Sequence, residues 1–380
     1  MSRPPVHAKR IADDVRQRIL SGELRLGMPL PGRREMAQAY GVAVLTLQRA
    51  LAPLLADGTL RSESTRGTYV ADAALGGKGR ASANIAIIAQ CEVDPSGGGG
   101  DEIWAARAVR ACEGVLSTSG NNTRFYNVMH HHRRWWADPL TAMQAAAAEH
   151  ADAIIALNLT EAPGWADAVG TFRQLWPETL VYACGDSFPP GVSTVSHDQE
   201  ESGAAAALHC LAAGYTQLVA LRPYAASWLD HRLAGARRAA GRRLKIIDAG
   251  AGVPVERFWN LPAAEQINFL AEMVKSTLTD TRSLAIITPS DGVTRDLLPT
   301  LEKAGIQPGT DIGLIGFDND AVARDEGLSS MAPPVEELGA AAGRLCLLDM
   351  RGTTEIRHVR VPSRLIARAS TFRPALRLRA

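Results

Sequence analysis

The sequence predicts an α/β chain, with an N-terminal winged helix-turn-helix followed by a two-lobed body that contains parallel sheets. Within the first 72 residues, apolar residues recur at helical spacing and two short extended segments follow them. From residue 84 onward, short apolar strands alternate with Ala-rich helical segments, which is the pattern of parallel α/β sheets. A chain of 380 residues is long enough for two or three domains, each with its own core.

The composition excludes several classes of protein. Hydrophobic residues make up 46% of the chain and glycine shows no repeat, which excludes a disordered or collagen-like chain. No apolar run approaches the roughly 20 residues that span a bilayer, and the N-terminus lacks the apolar segment of a signal peptide. Five scattered cysteines without a Cys-x-x-Cys pair argue against a disulfide framework. We therefore expect a cytoplasmic protein that does not bind membranes.

Charge is unevenly distributed along the chain. Residues 1–75 contain 11 Lys and Arg against 7 Asp and Glu, whereas the remainder contains 30 against 33. The formal net charge of the whole chain is only +1. A small basic N-terminal segment therefore precedes a mildly acidic body.

The first 72 residues, which we call the head, carry the pattern of a helix-turn-helix. Apolar residues recur on one helical face over His7–Leu20, and Gly22 is a stop signal for that helix. A turn rich in Gly and Pro at 27–32 leads into two further helices, at 33–40 and 44–56, with a short Gly-containing turn between them.

Two short extended segments complete the head, and a linker follows it. The segments at 59–62 and 68–70 flank a polar tip, which predicts the hairpin of a wing. Residues 73–83 are small and Gly-rich, which indicates a flexible linker without a hinge helix. Residues 84–380 then form the body.

The body is long for a single doubly wound sheet, so we predict two lobes. The first comprises about 84–198 with 325–350, and the second about 199–324 with 351–375. The predicted strands are Ile85–Ala89, Thr123–Val128, Ala153–Leu157, Leu180–Ala183, Leu218–Leu221, Leu244–Ile247, Leu284–Thr288 and Asp311–Phe317.

The second helix of a helix-turn-helix enters the major groove, while flanking basic groups contact phosphates. In that groove Gln pairs with adenine and Arg with guanine. The residues that we expect to contact DNA are Arg34, Thr46, Gln48, Arg49, Arg66 and Gly67.

The body shows no catalytic constellation, and we expect neither enzymatic activity nor a cofactor. It contains neither a Gly-x-Ser-x-Gly elbow nor a Gly-x-x-x-x-Gly-Lys-Ser/Thr phosphate loop. We interpret the run at His130–His132 as an exposed loop rather than a metal site, because no other residues at metal-ligand spacing support it.

Polar and aromatic residues follow the carboxyl ends of the predicted strands, where parallel α/β sheets bind small ligands. Carboxylates, amides and a guanidinium next to aromatic rings suit a polyhydroxylated ligand. The candidate ligand-binding residues at these positions are Trp104, Asn158, Tyr224, Trp228, Ser290, Asp291 and Asp318.

Over residues 7–72, the motifs of the head resemble the GntR-family winged helix. They are Leu30-Pro31-Gly32-Arg33-Arg34-Glu35-Met36-Ala37, Tyr40-Gly41-Val42, Thr46-Leu47-Gln48-Arg49-Ala50-Leu51 and Arg66-Gly67-Thr68-Tyr69-Val70. The resemblance implies that Arg34 and Arg49 contact DNA. Val44 stands where the family usually has a base-reading arginine, and Gln48 where it has a basic residue, so the family's operator sequence does not transfer.

Over residues 84–373, the body resembles the LacI/GalR-type sensor, which has a periplasmic-binding-protein-like fold. The segments that carry this resemblance include Val195–Gly203, Asp230–Gly235, Ile312–Asn319 and Pro334–Gly339. The resemblance implies that Arg232, Asp318 and Asp198 contact a ligand. Ser290 stands where that family often has Asn, and a matching Asp291 follows it.

Together the resemblances imply a GntR-type regulator with a LacI-type sensor, similar to arabinose repressors. Such a protein acts as a homodimer on a pseudo-palindromic operator in double-stranded DNA, and a sugar or sugar derivative bound between its lobes modulates it. We expect a repressor of carbohydrate-utilisation genes. The alternatives are a body that only dimerises, a nucleobase ligand, an activator, or an aminotransferase-like enzyme fused to the head.

Overall fold

The structure, a computed structural model, divides into two compact units. The first comprises Met1–Ser196 with Val335–Val361, and the second comprises His197–Pro334 with Pro362–Ala380. The residues that the structure describes are 6–25, 27–56, 58–63, 67–71, 82–89, 104–128, 138–157, 164–185, 189–249, 252–278, 283–350 and 355–372.

The head begins the first unit and contains three helices and a two-stranded hairpin. Its elements are α1 (Val6–Leu20), α2 (Arg33–Ala39), α3 (Val44–Ala56), β1 (Leu60–Glu63) and β2 (Gly67–Val70). They confirm the predicted helices and wing strands to within one residue. The pairing of β1 and β2 is antiparallel, as a wing requires.

The apolar stripe of α1 forms the core of the head, together with the buried face of α3. The stripe predicted from helical spacing is buried in full, and it consists of Ala8, Ile11, Ala12, Val15 and Ile19. The helix ends at Leu20, two residues before the predicted stop signal Gly22, which has a φ of +80°, a conformation that glycine adopts at little cost.

The turn that precedes α2 is attached to the wing by backbone hydrogen bonds. The amide of Leu30 donates to the carbonyl of Thr68 at 2.8 Å, and the amide of Gly27 donates to the carbonyl of Val70 at 2.9 Å. In return, the amide of Val70 donates to the carbonyl of Met28 at 3.1 Å. The wing is therefore fixed to the helical part of the head along β2.

The body alternates strands and helices, as predicted. Its elements are β3 (Asn84–Ala89), α4 (Trp104–Thr118), β4 (Asn122–Asn127), α5 (Pro139–Ala148), β5 (Ala153–Leu157), α6 (Trp165–Leu175), β6 (Leu180–Cys184), β7 (Ser193–His197), α7 (Gln199–Ala212), β8 (Gln217–Arg222), α8 (Ser227–Ala240), β9 (Leu244–Asp248), α9 (Val255–Trp259), α10 (Ala263–Val274), β10 (Leu284–Ile287), α11 (Asp291–Lys303), β11 (Gly313–Phe317), α12 (Ala321–Asp325), β12 (Ser329–Ala332), α13 (Val335–Asp349), β13 (His358–Val361) and β14 (Arg364–Ile366). All eight predicted strands are present to within two residues.

Each unit contains one six-stranded sheet. The strand order is β13-β7-β6-β5-β3-β4 in the first unit and β14-β12-β11-β10-β8-β9 in the second. The central pairs are parallel, and β14 pairs antiparallel with β12 at one edge. Apolar helices cover the sheets, and the strands are almost fully buried apart from the edges.

The first lobe boundary, at 196/197, lies within two residues of the predicted one, whereas the two later boundaries lie about ten residues further along the chain than we predicted. The chain returns to the first unit at Val335 rather than near 325, because β12 pairs in parallel with β11 of the second sheet. It leaves again after Val361 rather than near 350, because β13 lies at the edge of the first sheet beside β7.

Within the first unit, the head packs against α13 through the C-terminal end of α1. Arg344 donates from Nε and Nη2 to the carbonyl of Leu20, at 3.0 and 2.7 Å, and pairs with Glu337. Leu20 is buried among the apolar residues of the first sheet and its helices. At Gly22, an added Cβ would overlap the Glu337 carboxylate. The head therefore contacts the first sheet region through α13 in addition to being joined to it by the predicted linker. Of that linker, the structure describes only Ser82 and Ala83.

Among the described residues, no single helix is long and apolar enough to cross a membrane. The pair α2 and α3 satisfies the criteria of length and composition only when the two are taken together, and they meet at an angle of 105°.

Candidate functional site

The first candidate site is the solvent-facing side of α2 and α3. Arg34 on α2 is exposed, as are Gln48 and Arg49 on α3, while Thr46 is half-buried. The opposite face of α3 fixes the helix in the core of the head, through Leu47, Ala50, Leu51 and Leu54. Guanidinium and amide groups are therefore presented to solvent by a helix whose position is set by packing.

The wing presents Gly67 at the start of β2, exposed and with a φ of +79°. An added Cβ there would meet nothing within 4 Å, so the glycine is required by its backbone conformation rather than by crowding. Arg66, which we also expected to contact DNA, lies outside the described residues.

The second candidate site lies on the second unit, where three neighbouring parallel strands end. Strands β8, β10 and β11 are adjacent in the sheet, so the segments that follow their carboxyl ends lie side by side. These segments carry five of the predicted ligand residues, namely Tyr224, Trp228, Ser290, Asp291 and Asp318.

Arg232, on α8, is held in a fixed position among these segments. Its side chain is only 6% exposed, and its Nε donates to Gln199 Oε1 at 2.7 Å. Nη1 donates to the carbonyl of Pro289 at 2.7 Å, and Nη2 lies 3.8 Å from Asp318 Oδ1. The guanidinium also lies 4.2 Å from the ring centroid of Phe317, a cation–π geometry.

Two glycines permit this arrangement, because they let α7 and α8 approach closely. A Cβ at Gly203 would lie 1.9 Å from the carbonyl oxygen of Arg232, and a Cβ at Gly235 would lie 1.8 Å from that of Glu200. The close crossing brings Gln199 on α7 within hydrogen-bonding distance of Arg232 on α8.

Asp318 stands at the start of a tight loop after β11. Its φ is +101° and that of Asn319 is +52°, values that non-glycine residues seldom adopt. Two hydrogen bonds from backbone amides fix the loop. The amide of Asn319 donates to Ser330 Oγ at 2.9 Å, and that of Asp320 donates to Asp291 Oδ2 at 3.2 Å. The side chain of Asp318 remains 46% exposed. Its carboxylate is thus accessible and well positioned.

Asp291 is fully buried at the first position of α11. Its Oδ2 accepts from Ser330 Oγ at 2.8 Å in addition to the Asp320 amide. The pKa of Asp291 is raised to about 8, mainly by burial and then by the nearby charge of Asp318, with a smaller contribution from Asp320, while the two hydrogen bonds oppose the shift. The structure therefore brings Asp291 under the Asp318 loop, where it supports the loop.

Two other predicted residues cap helices. Ser290 Oγ accepts from the amide of Val293 at the start of α11, at 3.3 Å. Asp198 Oδ1 accepts from the amide of Glu201 at the start of α7, at 3.0 Å. Next to Asp198 lies His197, whose pKa is lowered to about 3 by burial and then by the charge of Arg232, so that its imidazole is neutral.

An aromatic cluster borders the site. Tyr224 is completely buried, and its ring packs at 5.9 Å from Trp228 and 6.2 Å from Trp259 between centroids. Trp259 is 39% exposed and lies against Gly292, next to the N-terminus of α11. Sequence reasoning missed Trp259, because it is 31 residues from the nearest predicted site residue and follows no predicted strand directly.

The remaining candidates come from the first unit. Trp104 is the first residue of α4, but its side chain is outside the described residues, as is all of Asn158. The run at His130–His132 is also outside them. Within the described part of the chain, no group of three or more His, Cys, Asp or Glu residues is arranged to hold a metal ion.

Two family models match separate parts of the chain, one in the head and one in the body. Residues 7–70 match the gntR family of bacterial regulatory proteins, and residues 207–371 match the periplasmic binding protein-like domain. The chain therefore contains a gntR-family region at its N-terminus and a periplasmic binding protein-like region in its body.

A curated relative matches the head. The head region is 38% identical over 61 residues to the HTH-type transcriptional repressor NagR of Bacillus subtilis (strain 168), a match that spans 16% of this chain and 25% of that relative. The chain thus matches only about a quarter of the length of this curated relative.

Solved structures of transcriptional regulators resemble most of the chain in fold. A LacI family transcriptional regulator from Enterococcus faecium with bound ribose has a TM-score of 0.51 at 17% identity, and the match covers 76% of this chain and 98% of that chain. The transcriptional regulator CelR in complex with cellobiose has a TM-score of 0.54 at 17% identity, covering 90% and 100%. At such identities the likeness shows the fold.

Proposed function

We propose that the protein is a ligand-responsive transcriptional repressor, which binds operator DNA through its head and a small sugar-like effector through its second unit. The observation that carries the proposal is the coexistence of two preformed recognition surfaces in one chain. One is the exposed face of α3, and the other is the Arg232–Asp318 pair at the strand ends. The GntR match, the repressor relative and the sugar-bound structural neighbours support it.

The head has the charge and shape for duplex DNA. Arg34 and Arg49 are exposed on consecutive helices, and the wing presents Gly67 beside the polar tip. In a winged helix the second helix of the motif enters the major groove, and basic groups around it contact phosphates. Double-stranded operator DNA in the cytoplasm is therefore the proposed partner of this surface.

The second unit has the chemistry for a polyhydroxylated ligand. Asp318 offers an accessible carboxylate that accepts hydrogen bonds from ligand hydroxyls, and Arg232 offers guanidinium N–H donors beside it. Trp259 offers a partly exposed ring, which suits the apolar face of a sugar. In this proposal Asp291, Ser290 and Tyr224 position the contacting groups from the interior, whereas Asp198 caps α7.

Coupling between the two sites follows from thermodynamic linkage. An effector that prefers one conformation of the protein shifts DNA affinity only by its differential affinity for the two conformations. We propose that two copies of the chain form a homodimer that presents two heads to two half-sites. Size-exclusion chromatography with light scattering tests this stoichiometry.

A thermal-shift screen of the full chain against monosaccharides, sugar acids, sugar phosphates and nucleosides tests the effector class. At a concentration a hundredfold above Kd, an effector adds about 2.7 kcal/mol of stability, which corresponds to a shift of several degrees. A shift produced by sugars and reduced to about half or less in Asp318→Asn supports the proposal. A shift produced only by nucleosides, or none in any class, would contradict the sugar assignment.

A further inference from the structure

The solvent-facing stripe of α3 is chemically divided along its length. Its amino end exposes two apolar side chains, Val44 at 38% and Leu45 at 58%. One turn later the same stripe exposes Gln48 and Arg49, and Ala52 follows. The first turn therefore presents hydrocarbon to solvent, and the second turn presents hydrogen-bonding groups.

Exposure of this hydrocarbon is not required by the packing of the head. The core contacts of α3 are made by the opposite face, and Val44 and Leu45 are outside the apolar cluster. A solvent-facing helix position does not require a large apolar side chain. Val is also a weaker helix former than Ala. An apolar pair at this position is therefore explained best by a partner.

The exposed charges of α2 and α3 favour nucleic acid over protein as the partner. Arg33, Arg34 and Arg49 are exposed on α2 and α3, with Glu35 the acidic residue among them, and α3 itself contains no acidic residue. An apolar patch bordered by cations suits a polyanion that carries small apolar groups between its phosphates. The major groove of DNA has that character, because thymine places its C5 methyl group there.

On the basis of the proposed DNA-binding function, we propose that Val44 and Leu45 determine operator specificity by packing against thymine C5 methyl groups. Neither side chain donates or accepts a hydrogen bond, so neither reads guanine, cytosine or adenine by polar contact. Gln48 and Arg49 supply the polar reading one turn further along the helix. Each operator half-site then contains at least one thymine whose methyl group is required, next to positions read by hydrogen bonds.

The experiment has two steps and uses the full-length protein. Selection from a random duplex library first yields the preferred sites. Each thymine in one selected site is then replaced by deoxyuridine, which removes the methyl group and leaves every hydrogen-bonding group in place. Fluorescence anisotropy measures the affinity for each duplex. Burial of one methyl-sized group corresponds to about a fourfold change in affinity, so we expect about a fourfold loss at one or two thymines per half-site.

Variants connect the effect to these residues. In Val44→Ala/Leu45→Ala, the affinity ratio between thymine and deoxyuridine duplexes at those positions should fall to about one. Leu175→Ala, which shortens an equally exposed leucine at the end of α6 in the body, is the matched control and should leave the ratio unchanged. Because all three side chains are exposed, unfolding temperatures should remain close to that of the wild type, which thermal unfolding verifies.

The possible outcomes separate the two proposals. A selected site that tolerates deoxyuridine at every thymine overturns the methyl-reading proposal while the DNA-binding function stands. An equal loss on deoxyuridine substitution in the wild type and in the double variant also overturns it, because the methyl group then acts through other residues or through DNA shape. A library from which no sequence is enriched overturns the proposed DNA-binding function itself.

Discussion

Arg232 and Asp318 combine a buried cation with an exposed anion. The guanidinium is fixed by Gln199 and the carbonyl of Pro289, while the carboxylate is carried by a loop whose backbone adopts positive φ. Groups fixed in advance bind a ligand without a further loss of side-chain entropy. This preorganisation is the physical basis for the proposal that the pair contacts the ligand.

Asp318→Asn is expected to weaken effector binding roughly 10- to 100-fold, since it removes a charged hydrogen-bond acceptor that faces solvent. The substitution preserves the shape of the side chain and tolerates the positive φ, so the fold should be retained. Isothermal titration calorimetry with the effector found by screening measures the loss. Arg238→Ala is the control. Arg238 lies on α8, as Arg232 does, and its surface guanidinium pairs with Glu200 and Glu201 of α7. Equal affinities in both variants would contradict the assignment.

Asp291 makes the stability of the second unit depend on pH. The carboxyl group ionises near pH 4 in the unfolded chain, whereas its folded pKa is about 8. Between these values the folded protein binds a proton that the unfolded chain does not, so stability falls as pH rises, by up to about 1.4 kcal/mol per pH unit.

Asp291→Asn is therefore expected to flatten the decline in stability between pH 5 and pH 8, because an amide cannot ionise. Urea unfolding midpoints at four pH values, compared between variant and wild type, measure the effect. The amide oxygen can still accept from Ser330 and the Asp320 amide, so the loop should remain in place. Parallel pH profiles for the two proteins would show that Asp291 ionises normally in the folded state.

The sequence pattern identified polar residues at the strand ends, but it did not separate the exposed residues from the buried ones. Asp291 and Asp318 have the same chemistry and similar positions after a strand, yet one is completely buried and the other is 46% exposed. The buried carboxylate accepts a hydrogen bond from Ser330, which lies on β12, a strand that was not predicted. Trp259 was missed for a related reason, since its approach to α11 depends on long-range packing.

At the scale of elements, the crossing of α7 and α8 places Arg232. The two helices approach so closely that a Cβ atom at Gly203 or Gly235 would overlap a backbone carbonyl oxygen of the other helix. A methyl group at either position forces the helices apart or bends them. The position of Arg232 relative to Gln199 therefore depends on two residues that touch no ligand.

Gly203→Ala is expected to lower the free energy of unfolding by about 1–3 kcal/mol or more, because the added Cβ overlaps a backbone carbonyl. Gly170→Ala is the matched control. Gly170 also lies within a helix, α6, but an added Cβ there meets nothing within 4 Å, so a gain of about 0.4–1 kcal/mol is expected. Urea unfolding of both variants measures the difference, and equal stabilities would refute the close crossing.

The contact between α1 and α13 connects the head to the first sheet. Arg344 places a cation at the C-terminus of α1, where the helix dipole and a terminal carbonyl both favour positive charge. Leu20 adds apolar burial at the same point. The head is thus attached to the body by packing as well as by the linker.

Arg344→Ala is expected to increase amide hydrogen exchange in the last turn of α1, because the Leu20 carbonyl loses both hydrogen bonds from the guanidinium. Arg107→Ala serves as the control. It breaks an exposed ion pair between α4 and Glu336 of α13, the helix that carries Arg344, and it leaves the contact with α1 intact. Hydrogen exchange measured by mass spectrometry on full-length protein compares the two. Unchanged protection of α1 in Arg344→Ala would show that this contact does not fix the head in solution.

At the scale of the whole molecule, the α/β alternation made the fold predictable, whereas four strands were not predicted. In β7 (Ser193–His197) every residue is buried although four of the five are polar. The hydroxyl of Thr194 pairs with His358 Nδ1 at 2.7 Å, a partner 164 residues away. Such strands lack the apolar run that marks a buried strand, and the remaining three, β12, β13 and β14, have only three or four residues each. The shift of the lobe boundaries follows directly, since β12 and β13 decide where the chain crosses between the units.

The proposed coupling of effector binding to DNA binding within one chain is tested by measuring the operator affinity with and without effector. A saturating effector should change the Kd for the selected duplex by about 5- to 150-fold, the range that corresponds to typical coupling free energies. Asp318→Asn should require correspondingly more effector for the same change. An operator Kd that is identical with and without an effector known to bind would contradict the claim.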